Sequence, residues 1–326
     1  MSQTLEEESS YIIKQACDKY EKIGVAFNGG KESLIVSHMC LPEKESFTWF
    51  YIMTDFEQMD GFVNKSAYDL GIELVIFNCD MKEALNLLID EYKLEGVIMG
   101  TRKSDPYSSE LCHLSPTQND WPYIIRILPI LNWEYNDVWV YIDKNNISMS
   151  ELYTKQGYTS IGDKNKTFPN FRLFNMKGWS HPRLLEDGDK WERVGRITKG
   201  CLPVKLHGVV IHGYGRGKDL GFPTANIDMG KDKLDIQDGV YSGIAYFDDS
   251  DIIYKQVCSI GTNTTFEECI ESTIEVHIIN GLLEDFYDKI LYVEITKFIR
   301  PMLKFDNIDE LVEAIKKDIC ISKTGN

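Results

Sequence analysis

The chain has 326 residues, 43% of them hydrophobic and 26% charged, the proportions of a folded globular protein rather than a disordered one. Its 35 basic and 51 acidic side chains give a formal net charge of −16, a field that disfavours nucleic acid and anionic membrane surfaces as partners. At roughly 100–200 residues per domain, the length predicts two domains.

The charge is uneven. Residues 1–100 carry 8 basic and 18 acidic side chains, residues 101–200 carry 14 and 12, and residues 201–326 carry 13 and 21. A locally basic stretch in an acidic chain suits the holding of a small anion. No apolar run approaches the ~18 residues of a membrane span, and the acidic opening with Glu6, Glu7 and Glu8 is unlike a signal peptide. Eight cysteines lie scattered without a CxxC pair, which predicts reduced thiols and a cytoplasmic protein. Oligomeric state is not legible at this level.

In chain order, continuous apolar runs over 23–27, 47–53, 73–77 and 96–99 predict buried strands. Helical spacing between them predicts helices over 33–40, 58–70 and 81–92, with a further helix over 134–144 that gathers Val138, Trp139 and Ile142 on one face. Strand–helix alternation of this kind predicts a doubly wound α/β domain with a parallel sheet. Residues 101–122 and 145–200 lack sustained periodicity, and loops that long are usually functional. Beyond residue 200, short β-rich runs over 204–212, 241–247, 255–260, 273–279 and 291–298 predict a small antiparallel barrel or sandwich. A tail helix over 307–319 places Ile308, Leu311, Val312, Ile315 and Ile319 on one face, with Asn307 as cap and Glu310 completing a capping box. A linker at 198–203 therefore separates domains 1–200 and 201–326.

Two glycine-rich segments carry chemistry. Asn28-Gly29-Gly30-Lys31-Glu32-Ser33 follows a predicted strand and opens a predicted helix. Glycines let the backbone turn tightly and aim N–H groups, and a helix N-terminus adds positive potential, so the segment suits a phosphate. On these residues alone an ordinary strand–turn–helix connection fits equally well. Gly213, Gly215 and Gly217, followed by Lys218, form the second such segment.

The first segment resembles the phosphate loop of the PAPS reductase-like ATP pyrophosphatases (the adenine nucleotide alpha hydrolase type). Gly100-Thr101-Arg102-Lys103-Ser104-Asp105-Pro106-Tyr107-Ser108 is similar to a motif of eukaryotic-type FAD synthetases, as are Ser115-Pro116-Thr117, Trp121-Pro122, residues 129–133, residues 157–162 and Glu192-Arg193-Val194-Gly195-Arg196. The resemblance implies adenylyl transfer from ATP to FMN. It implies that Asn28, Gly29, Gly30, Lys31, Glu32, Ser33, Gly100 and Arg102 bind ATP, and that Arg102, Asp105, Trp121, Arg193 and Arg196 hold FMN, with Asp105, Arg193 and Arg196 catalytic. The family has Asp where Glu32 stands. One methylene more could weaken adenylylation or leave an FMN-binding module without it, and sulfate- or thio-adenylate chemistry on the same fold is a rival that leaves the second half unexplained.

The second segment, with Pro223-Thr224-Ala225-Asn226, Glu275-Val276-His277 and Arg300-Pro301, resembles riboflavin kinase over about residues 204–320. The resemblance implies a six-stranded barrel that phosphorylates riboflavin to FMN. Gly213, Gly215, Gly217, Lys218, Thr224 and Asn226 would bind ATP, Thr224 and Asn226 would hold Mg²⁺, Glu275 would be the base, and Glu275, His277 and Arg300 would meet the flavin. Met302 stands where the family carries a carboxylate. Together the resemblances imply one chain that uses riboflavin, ATP and Mg²⁺, with FMN as intermediate and FAD as product.

Overall fold

Thr4 and an acidic first turn begin the first helix, α1 (Leu5–Lys19): the Thr4 hydroxyl accepts from the Glu7 N–H at 3.2 Å and Glu7 returns the bond to the Thr4 N–H. The computed structural model describes residues 4–54, 56–175, 177–213, 216–230, 234–263, 271–279 and 286–324. α1 was absent from the expectation. Its apolar side, Ile12, Ile13 and Ala16, is buried, and Ser9 anchors it by donating to the Pro129 carbonyl and accepting from the Trp133 indole.

The chain folds as two units. The first comprises Met1–Thr154 and Leu185–Glu192, the second Lys155–Leu184 and Arg193–Asn326. These bounds differ from the single cut expected near residue 200. Phe168, Ile197 and Leu202 are buried in the core of the second unit's barrel, so apolar burial draws residues 155–184 and 193–200 to it.

In the first unit, strands β1 (Ile23–Ala26), β2 (Phe47–Ile52), β3 (Leu74–Phe77), β4 (Gly96–Ile98), β5 (Leu114–Pro116) and β6 (Ile125–Ile127) form one sheet in the order β3-β2-β1-β4-β6-β5. All neighbours are parallel except β5, which pairs antiparallel with β6 at the edge. Helices α2 (Lys31–Cys40), α3 (Glu57–Leu70), α4 (Met81–Asp90), α5 (Tyr135–Lys144) and the single turn α6 (Glu151–Thr154) connect or cover them, and α7 (Gly188–Trp191) belongs to the returning segment. Asp80 caps α4 by accepting from the Lys82 and Glu83 N–H groups, and Gly71 ends α3 in the left-handed region. Phe50, Phe77, Leu85, Leu88 and Val97 make the core against α4. The strand order reverses between β1 and β4, and at such a switch point the loops leaving the two strands diverge and open a crevice for a ligand.

In the second unit, the hairpin β7 (Phe174–Asn175) and β8 (Gly178–Trp179) precedes a closed antiparallel barrel of β9 (Val204–Ile211), β10 (Ala225–Asp228), β11 (Gly239–Phe247), β12 (Tyr254–Asn263), β13 (Glu271–Ile278) and β14 (Ile290–Arg300). The single turn α8 (Arg216–Asp219) lies between β9 and β10, and α9 (Ile308–Lys323) closes the chain. Alternation is clean on β9, where Leu206, Gly208 and Val210 are buried and Lys205, His207 and Val209 exposed. α9 packs outside the barrel with Ile321 against Val240, Val257, Ile299, Phe171 and Phe174. Its Asn307 cap accepts from the Glu310 N–H as expected, but the buried side is shifted: Ile308 is 64% exposed, whereas Asp318 and Ile321 are buried.

Arg300, expected to meet the flavin, accounts for that shift. Its side chain is buried and grips Asp318 of α9 through Nε (3.0 Å and 3.1 Å) and Nη2 (2.8 Å), while Nη1 donates to the Pro301 carbonyl. Arg300 is thus a bolt between β14 and α9. Burial raises the Asp318 carboxyl above the ordinary range, against the pull of Arg300. Removing one partner of a buried pair strands the other charge. Asp318→Asn should therefore lower stability by about 3–5 kcal/mol, seen as a fall in the urea midpoint at unchanged m value.

Candidate active sites

The first site grows from the ends of β1 and β4. Phe27 extends β1 by donating to the Phe50 carbonyl, and the chain then turns through Gly29, whose φ of +72° lies in the left-handed region. A Cβ at Gly29 would also come within 2.8 Å of Met59 and Val63 on α3. Three side-chain bonds fold the loop on itself. The Asn28 N–H donates to Ser33 Oγ (3.0 Å), the Ser33 hydroxyl donates to the Ala26 carbonyl (2.7 Å), and the Gly30 N–H donates to Asn28 Oδ1 (3.0 Å). The Lys31 N–H in turn donates to the Tyr153 hydroxyl (3.4 Å). Asn28 and Ser33, expected to hold phosphate, therefore also shape the loop. Gly100, just past β4, has a different reason from the one expected. A Cβ there would lie 2.6 Å from the Glu32 backbone, so glycine permits the loop after β4 to touch the first turn of α2.

Behind this contact lies a buried ionic network. The Lys31 ammonium is 2.8 Å from Glu32 Oε1 and 3.1 Å from Glu192 Oε2, and it sits 5.5 Å over the Tyr135 ring. Arg102 is wholly buried; Nε meets Glu32 Oε1 at 3.2 Å, Nη1 meets Asp189 Oδ1 at 2.7 Å and Nη2 meets Glu192 Oε1. The Arg102 N–H donates to Asp105 Oδ2 at 3.0 Å. Asp189 also accepts from the Tyr135 N–H. Two cations thus face three carboxylates.

Burial alone would lower the Lys31 ammonium, but Glu32 and Glu192 outweigh it and hold it above the ordinary lysine range. Burial likewise opposes the charge on Glu32, yet Lys31 and Arg102 prevail and keep its carboxyl low. Glu192 is pushed up by burial despite the same two cations. Lys31 and Arg102, read from sequence as phosphate ligands, are members of this network and brace the loop from within. Asp189 and Glu192 were missed as network members. They lie in an aperiodic stretch, and only the return of residues 185–192 to the first unit reveals them.

Asp105 meets the Arg102 backbone, whereas Trp121 stands 42% exposed in the turn after Gln118. In the second unit, residues 157–162 and 193–196, from two motifs singled out above, converge. The Arg196 guanidinium packs on Gly162, where a Cβ would fall 2.2 Å from Nη2, and Nη1 donates to Ser160 Oγ at 3.2 Å. The Phe168 N–H donates to the Gly195 carbonyl, and Gly195 leaves room for that approach. Arg193 is half-buried nearby in sequence.

The other site lies on the barrel. Gly213 follows β9, and a Cβ there would lie 2.0 Å from Asn226 Nδ2; one at Gly217 would meet the Phe222 carbonyl at 2.5 Å and Thr224 Oγ1 at 3.1 Å. Both glycines let the loop lie against residues 222–226. Lys218 is exposed, and Gly215 lies outside the described residues. The β10–β13 register sets Asn226 opposite Glu275. Because Ile274, Val276 and Ile278 fill the barrel core, Glu275 and His277 share its outer face. The Thr224 hydroxyl donates to Glu275 Oε2 at 3.5 Å, gathering Thr224, Asn226 and Glu275. His277 Nδ1 lies 2.8 Å from the Pro223 carbonyl and its ring meets Phe222 edge-on. A carbonyl only accepts, so Nδ1 carries the proton. His277 therefore orients the Thr224 segment. Among the described residues no helix is long and apolar enough to cross a membrane, and no group of three His, Cys, Asp or Glu is arranged to hold a metal.

Comparison with known proteins follows this division. Residues 201–324 match the riboflavin kinase family and residues 79–169 the phosphoadenosine phosphosulfate reductase domain. A probable FAD synthase of Schizosaccharomyces pombe is 31% identical over 202 residues, covering 57% of this chain and 76% of that protein; in two nematode relatives of the same name the match covers only 40% and 39% of their length. Mouse riboflavin kinase is 41% identical over 122 residues, 36% of this chain and 77% of that protein. A Candida glabrata FMN adenylyltransferase solved with FMN and an ATP analogue shares the fold with a TM-score of 0.53, at 22% identity over 59% of this chain and 88% of that one. Fold, glycine loops and sequence identity converge: the chain belongs to the FAD synthase family and, over residues 201–324, to the riboflavin kinase family.

Proposed function

We propose that this chain makes both flavin cofactors, converting riboflavin and ATP to FMN and ADP, and then FMN and ATP to FAD and pyrophosphate. The observation that carries the reading is the β10–β13 register, which sets Asn226 opposite Glu275 beside Thr224, with Gly213 and Gly217 letting their loop lie against the same segment. Membership of both families supports it.

In the kinase reaction the riboflavin 5′-hydroxyl is protonated at neutral pH and needs a base. Glu275 accepts that proton while the oxygen bonds to the γ-phosphorus and the bond to the bridging oxygen of ADP breaks. Thr224 and Asn226 offer neutral oxygens beside one carboxylate, a set that fits Mg²⁺, which keeps waters and substrate phosphates as its other ligands. When bound, the ion would neutralise phosphate charge. His277 holds Pro223, and through it Thr224, in place.

In the adenylyl transfer FMN brings its own nucleophile, so no base is required. An FMN phosphate oxygen bonds to the α-phosphorus of ATP as the bond to pyrophosphate breaks, and the protein supplies alignment and charge. The loop from Asn28 to Ser33 faces the leaving pyrophosphate. Asp105, Trp121, Arg193 and Arg196 keep the FMN-binding roles that the motif implies, Arg193 and Arg196 through guanidinium forks that match phosphate. Location in the cytoplasm belongs to the same reading.

Two measurements test it. Glu275→Gln should lower FMN formation from riboflavin by about 10²–10⁴-fold, while FAD formation from supplied FMN stays at the wild-type rate; loss of both would refute independent sites. Thr224→Val keeps the side chain's shape but removes the oxygen, so the Mg²⁺ concentration for half-maximal FMN formation should rise several-fold in a titration followed by flavin chromatography.

A further inference from the structure

We infer that Glu192 is a positioning residue of the adenylyl-transfer site, acting on ATP's phosphate loop through Lys31 and Arg102. The inference rests on the adenylyl-transfer reading above. Glu192 is 2% exposed and divides its carboxylate between two cations that are themselves sealed from water, Lys31 at 2% and Arg102 at 0%. Its own N–H donates to the Gly188 carbonyl at 2.7 Å, which fixes the end of α7 from which it projects.

Each cation reports to a different part of the loop. Lys31 is the first residue of α2, directly after Gly30, so the place of its ammonium sets the first turn whose N–H groups face the phosphates. Arg102 follows Gly100, whose backbone lies against that same turn. Glu32 is bonded to both cations through a single oxygen, Oε1. Without the Glu192 charge, less negative charge faces two buried cations. The Lys31 ammonium loses the partner at 3.1 Å and shifts toward Glu32, and the α2 turn is dragged with it. A misplacement of about 1 Å at such a distance from the chemistry can cost about 100-fold in rate.

A buried ion pair is weak evidence of stabilisation in itself, because desolvation offsets its attraction. A purely structural role is therefore the rival reading, and it makes a different kinetic prediction. A structural loss reduces the folded fraction and scales kcat alone, leaving both KM values in place. A displaced phosphate loop weakens the handling of ATP specifically.

The test uses the full chain carrying Glu192→Gln, which keeps size and one accepting oxygen, and Glu192→Asp, which keeps the charge but withdraws it by one methylene. FAD formation from FMN is followed at varied ATP and varied FMN, beside riboflavin phosphorylation and thermal unfolding. For Glu192→Gln we expect kcat to fall about 10–100-fold and the KM for ATP to rise about tenfold, with the KM for FMN and riboflavin phosphorylation unchanged. Should the Gln variant not fold, Glu192→Asp carries the test, with the same pattern at smaller amplitude. Unshifted ATP KM in the folded variant, or FAD formation within twofold of wild type, would overturn the positioning role alone. No FAD from the wild-type chain would overturn the adenylyl-transfer reading and this inference with it.

Discussion

The first unit is organised around one electrostatic constraint, the burial of Arg102. A guanidinium with no access to water must have every N–H bonded to oxygen and its charge matched nearby. Glu32 comes from α2, while Asp189 and Glu192 come from α7 and the residue after it. Those elements lie far apart along the chain, and a common cation draws them together. The phosphate loop inherits its position from this arrangement, since Lys31 and Glu32 belong to both.

The two glycine-rich loops solve a similar chemical problem by different means. At the end of β1 the loop is closed by its own side chains, Asn28 and Ser33, and its lysine is turned inward. On the barrel the glycines at 213 and 217 instead allow the loop to lie against Thr224 and Asn226, and Lys218 stays exposed. The overall charge of −16 makes the contrast intelligible. Anionic substrates meet a repulsive field, so binding must come from backbone N–H groups and local cations rather than from bulk attraction.

Much of the fold was legible because burial writes itself into periodicity. β1 to β4 read as continuous apolar runs, since a parallel sheet is covered on both faces, and the barrel strands read as short β-rich runs between turns. β10 escaped notice because Ala225–Asp228 is four residues long and carries Asn226 for chemistry rather than for packing. α1 escaped because its acidic first turn drew attention away from Ile12, Ile13 and Ala16 at helical spacing; Thr4 and Glu7 were the signal that could have found it. In the expected kinase cluster, strand pairing brings Asn226 and Glu275 together directly. For Lys31, Arg102 and Arg300, residue type alone did not show the carboxylates that the fold places against them. Whether a charge faces substrate or carboxylate depends on distant acidic residues, here Glu192 and Asp318, that no local pattern pairs with it.

The central claim is that one chain carries out two consecutive ATP-dependent steps. A time course with purified full-length protein, riboflavin, ATP and Mg²⁺, resolving the flavins chromatographically, tests it most directly. The account predicts that FMN rises first and then declines as FAD and pyrophosphate accumulate. FMN that accumulates without any FAD, at saturating ATP and with protein that phosphorylates riboflavin normally, would contradict it.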